Sequence, residues 1–156
     1  MIFKNRSRAG SRLKTKRRLL EMVHVINFSN DGKMVKAFKF PTKIIKKMEA
    51  SGGKVIYGEH YLGRIALNDI TRAIGLRTVL SWVIFWGLAW SKDEAMDEDS
   101  IDDMIDNYLA MELDNGTRSG KLADELMIPL FAGYGIDSEK LKEMAKESEK
   151  KTDSPN

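Results

Sequence analysis

Cysteine is absent from all 156 residues. That excludes a disulfide framework and thiolate chemistry, and it suits a reducing cytoplasm. Histidine is almost as scarce. His24 and His60 stand far apart, neither with a second His or Cys at ligand spacing, which argues against a zinc site. Long apolar runs are missing too. Val79 to Trp90, broken only by Ser81 and Gly87 and preceded by Arg77, falls well short of the roughly 20 residues a membrane span needs. No glycine-rich loop of the phosphate-binding kind occurs, since the glycines fall at turns and element ends.

What is present suffices for one domain with a core, at 42% apolar residues. The net charge of +3 conceals two unlike parts. Residues 1–21 carry eight bases and one acid, a charge of +7, whereas the other 135 residues carry 18 bases and 22 acids, a charge of −4. The basic isoelectric point thus belongs to a leader on an acidic body, and binding of nucleic acid by that body is disfavoured. The leader has no apolar stretch for a signal peptide. It reads as a disordered arm drawn to phosphate, as a loosely amphipathic surface segment, or as sequence upstream of the true start. The third is our expectation. Lys16-Arg17-Arg18 can be encoded AAR-AGG-AGG, a purine-rich ribosome-binding sequence, and Met22 follows three codons later.

The pattern of the body predicts a mainly α fold: a small bundle of about four helices with an N-terminal β-hairpin, forming one globular domain over 22–137. Within 22–40, "VHVINF" and "MVKAFKF" alternate apolar and polar residues on either side of Asn30-Asp31-Gly32, which supplies hairpin-turn chemistry. Lys33, Lys36 and Lys39 would take exposed or edge positions. The helical part, 41–137, opens after Pro41 with "TKIIKKMEAS", which Gly52-Gly53 are expected to end. Lys54 to Gly63 reads as a strand or an extended connector. From Arg64 the period is helical, with Ile65, Leu67, Ile70 and Ile74 near one face, and a second helix is expected from Leu76 to Trp90. Ser100 is expected to cap a helix whose Ile101, Met104, Ile105, Tyr108 and Leu109 form the clearest amphipathic stripe. A last helix carries Leu122, Leu126 and Leu130, with Pro129 as a potential kink and Gly133 and Gly135 as stops. Residues 138–156 read as a charged helix that frays into a disordered tail.

Chemistry finds little to work with. His60 beside Glu59 has no evident nucleophile, and Ser81 has no base near it in sequence, so no enzyme is predicted. The acidic run from Asp93 to Asp106 lacks the glycine a calcium loop requires, and solvated connector plus helix start explain it better. No metal or cofactor is predicted. The apolar helix is the informative feature. Trp82, Val83, Phe85, Trp86 and Trp90 point in several directions, more than a body of this size covers readily. Trp82, Phe85, Trp86 and Trp90 are therefore the candidate partner-binding residues, with self-association a further expectation.

Two segments carry a family resemblance. "INFSNDGKMVKAFKFPTKIIKKMEA" resembles the opening hairpin and first helix of tail assembly chaperones from long-tailed bacteriophages and prophages. "LSWVIFWGLAWSK", the acidic "DEDSIDDMIDNYLA" and "GKLADELMIPLFAGYGI" are similar to the helices that follow in that family, with Trp86-Gly87-Leu88 in the place of its W-x-G-L motif. Lys54 to Gly63 and the leader have no counterpart there. The resemblance implies a small helical protein of the host bacterial cytoplasm, absent from the mature virion. Such a protein binds and solubilises the tape-measure protein and recruits the tail-tube protein. It also implies a frameshifted longer form, and Glu149-Lys150-Lys151 can be encoded as the slippery GAA-AAA-AAG. The rival reading from another class is a small phage-type DNA-binding regulator that uses the basic N-terminal arm.

Overall fold

The computed structural model describes residues 23–116 and 120–137. The basic leader, Met22 and the charged tail from 138 lie outside the described residues, as does the middle of the loop around Thr117. The remainder is mainly helical with an N-terminal two-stranded antiparallel hairpin, as the pattern predicts.

The hairpin pairs β1 (His24–Asn27) with β2 (Val35–Phe38), His24 opposite Phe38 and Asn27 opposite Val35. The turn between them is held by its own side chains. Asp31 accepts hydrogen bonds from the Ser29 hydroxyl (2.7 Å) and the Lys33 N–H (3.0 Å), and Gly32 takes the left-handed conformation at φ +70°. Alternation then sends Ile26, Phe28, Phe38 and Phe40 inward, all of them buried. The Phe28 ring meets Phe38 at 6.0 Å and, edge-on, Tyr108 at 5.6 Å, so the hairpin face becomes one wall of the helical core.

Among the described residues five helices follow: α1 (Thr42–Tyr57), α2 (Leu67–Ala73), α3 (Arg77–Leu88), α4 (Glu98–Asp114) and α5 (Lys121–Gly133). The first is longer than the sequence suggests. It runs straight through Gly52-Gly53 to end at Gly58, so Lys54–Tyr57 are helical and neither strand nor connector. Packing explains those glycines. A β-carbon at Gly52 would overlap Ile65 and lie 2.7 Å from the Trp82 ring, and one at Gly53 would overlap the Tyr61 ring. They let neighbours close on α1 rather than terminate it. The stretch after α1 turns, with the Tyr61 N–H on the Gly58 carbonyl at 3.1 Å, and runs back along the helix, its Ile65 N–H bonding the Glu49 carbonyl at 3.0 Å; helix resumes only at Leu67.

The α3 helix is central, packing on α1, α4, α5 and β2. It ends at Leu88, so Trp90 lies beyond it in the following turn. The cap of α4 also differs from expectation. Asp97, and not Ser100, is the N-cap, accepting from the Ser100 N–H at 2.8 Å. Ser100 sits inside the first turn, and Glu98 and Asp99 are the acids nearest the positive end of the helix dipole. The amphipathic stripe is as predicted, with Ile101, Met104, Ile105 and Tyr108 buried and Leu109 half-buried. Helix α5 continues through Pro129 to Gly133 and closes with a Schellman pattern: Ile136 N–H to Phe131 C=O, Gly135 N–H to Ala132 C=O, Gly135 at φ +78°.

A candidate docking groove between α3 and α4

The four candidate aromatic residues separate into different roles. Trp90 is occupied within the fold. Its indole N–H donates to the Ala37 carbonyl at 3.0 Å, and Glu94 accepts the Ala37 N–H at 3.1 Å. These two side chains satisfy the outer edge of β2 where a third strand would otherwise pair. Lys39 is accordingly not a free edge charge, since its ammonium stands 5.8 Å from the Trp90 ring centroid. Trp86 is half-buried against the core, its ring edge-on to Phe85 at 5.3 Å.

Trp82 and Phe85 are brought together at an open groove of about 570 Å³. One wall is the outer face of α3, where Phe85 is 42% exposed and Trp82 is half-buried over Gly52. Val55 of α1 and Ile105 of α4 add apolar surface. The other wall is acidic: Glu98, Asp102 and Asp106 project from successive turns of α4, all exposed. Arg77 and Thr78 stand at the start of α3, on the same groove.

A polar contact joins the two walls. Ser81, the buried hydroxyl of the apolar helix, donates to Asp102 Oδ1 at 3.0 Å. That contact gives Ser81 a fixing role: it holds α3 against α4 and orients a carboxylate at the rim. Among the described residues, none of the three α4 carboxylates lies in a salt bridge, the ion pair formed there being Lys121 with Glu112 at 3.5 Å. No group of three or more His, Asp or Glu among the described residues is placed to hold a metal ion. No helix among them is long and apolar enough to cross a membrane.

Sequence reasoning found the aromatic wall but missed the acidic one. The signal was present, because Glu98, Asp102 and Asp106 recur every four residues and so share one helix face. Read as a solvated connector, the run concealed that this face adjoins the tryptophan helix. Neither any family model, nor any curated protein, nor any solved structure matches this chain.

Proposed function

We propose that this protein is a tail assembly chaperone of a long-tailed bacteriophage or prophage. It binds the tape-measure protein, keeps that protein's helices from aggregating in the host cytoplasm, and recruits tail-tube subunits as the tail forms. The observation that carries the reading is the groove itself. The helix that carries Trp86-Gly87-Leu88 presents Phe85 and the edge of Trp82 along an open, partly apolar groove, the kind of surface on which an amphipathic helix docks. Binding an exposed apolar helix lowers the free concentration of its aggregating form by mass action, which is all a holdase requires. The carboxylates beside the strip disfavour the DNA-binding alternative, since they would repel phosphate.

The test is genetic and biochemical. The gene is expected to lie between a tail-tube gene and a very long tape-measure gene, and co-expression is expected to raise the soluble yield of the tape-measure protein. Phe85→Ser should abolish most of that gain while leaving a folded protein, because Phe85 is already 42% exposed. A gene without such neighbours, or a yield that co-expression leaves unchanged, would refute the proposal.

A further inference from the structure

We infer that the α3–α4 groove receives a basic amphipathic helix, one with large apolar side chains along its face and Lys or Arg along one edge. This rests on the chaperone reading, in which the helix belongs to the client, and it specifies the chemistry of that client segment.

The argument is one of charge and spacing. Glu98, Asp102 and Asp106 form a row with one carboxylate per helical turn, about 12 Å long at the rise of an α-helix. They face solvent across an apolar floor, and among the described residues none is neutralised by a salt bridge. Among the described residues that line the groove Arg77 is the one base, at the start of α3, so that lining keeps a net negative charge. A cation row at positions i, i+4 and i+8 of a partner helix has the same repeat and would meet all three carboxylates. Its apolar face would then lie on Trp82, Phe85 and Val55. An acidic helix of equal apolarity would set like charges against that row. Ser81 fixes Asp102 in the middle of the row, so the central charge is already oriented before a partner arrives.

The experiment uses the full chain and two fluorescein-labelled helical peptides of 18 residues in anisotropy titrations. One peptide has Leu at i, i+3, i+4, i+7 spacing flanked by Lys, and the other replaces every Lys by Glu. The Lys peptide should bind at least about tenfold more tightly, and raising salt from about 50 mM to about 300 mM should weaken it severalfold. Asp102→Asn with Asp106→Asn should weaken the Lys peptide by about fivefold to tenfold, and Phe85→Ser should weaken it as well. Asp103→Asn, on the same helix but off the groove, should leave it unchanged. Equal affinity for the two peptides would overturn the inference. So would an equal loss with Asp103→Asn, which indicates general attraction to an acidic surface. Tighter binding of a peptide with the Met1–Glu21 sequence would also overturn it, because the occupant would then be the chain's own leader. The two readings fail separately: if the double amide variant still solubilises tape-measure protein and Phe85→Ser does not, only the charge inference falls, whereas a parent chain that gives no soluble gain overturns the chaperone reading.

Discussion

Gly133 shows how a single residue can be chosen by its neighbours rather than by its own backbone. It is the last residue of α5, and a β-carbon there would overlap the carbonyl oxygen of Phe40 and lie 2.9 Å from the Phe40 β-carbon. Because the first obstacle is main chain, no side-chain rotation relieves it. Gly75, between α2 and α3, has nothing within 4 Å of the same position and no positive φ. Gly133→Ala is therefore expected to destabilise by about 1–3 kcal/mol, the usual cost of overpacking. Gly75→Ala should be neutral or stabilising by up to ~1 kcal/mol through the unfolded chain. Urea denaturation of the two variants checks the pair. From the sequence, both glycines look like helix punctuation. Only the approach of a neighbouring element separates a spacer from a stop, and Gly52 and Gly53 hid α1's second half for the same reason.

At the scale of elements, the start of α4 depends on an ionised cap. Hydrogen bonds from the Ser100 side chain and N–H hold the Asp97 carboxyl below its ordinary value; the hairpin-turn Asp31 is lowered by the Lys33 N–H and the Ser29 hydroxyl, and Asp69 by the Ala66 N–H and the Tyr57 hydroxyl of α1. A depressed folded-state value contributes stability that is present above the unfolded value, near pH 4, and is lost as pH falls through the folded value. The melting temperature should thus fall between about pH 5 and pH 3, and Asp97→Ala should flatten that fall while lowering the melting temperature at neutral pH. Thermal melts followed by circular dichroism measure both; a variant as acid-sensitive as the parent would remove Asp97 from the explanation. Element existence was legible here because the stripe from Ile101 to Tyr108 is strictly periodic. The boundary was not, since Asp97 and Ser100 are both good caps and the choice depends on where the preceding turn, Ser91 to Ala95, delivers the chain.

For the molecule as a whole, two tyrosines tie distant segments together. The Tyr134 hydroxyl donates to Glu49 at 3.0 Å and so links the end of α5 to α1. Burial pushes its phenol up, with the Glu49 bond and charge adding to the effect. Burial also raises the Tyr108 phenol, at the contact of α4 with the hairpin, helped by the charges of Glu125 and Glu112. A raised folded-state value gives stability that is complete below the unfolded value, near pH 10, and is lost as pH climbs beyond it. Denaturation midpoints should therefore drop from about pH 9 to pH 11. Tyr134→Phe should start lower, by about 1 kcal/mol for the lost bond, and drop less. An identical alkaline slope in the variant would show that other groups govern the loss.

The sequence by itself determined the hairpin, the mainly helical class and the buried stripe of α4, because alternation, helical period and turn chemistry are local and act within a few residues. It also identified the aromatic helix as the surface to watch. Only the tertiary structure decided how those aromatics divide. Trp90 closes a strand edge, Trp86 leans on the core, and Trp82 with Phe85 line a groove whose acidic wall comes from residues about twenty positions away. A side chain's role depends on which distant element completes its surroundings, and that pairing is set by packing across the molecule.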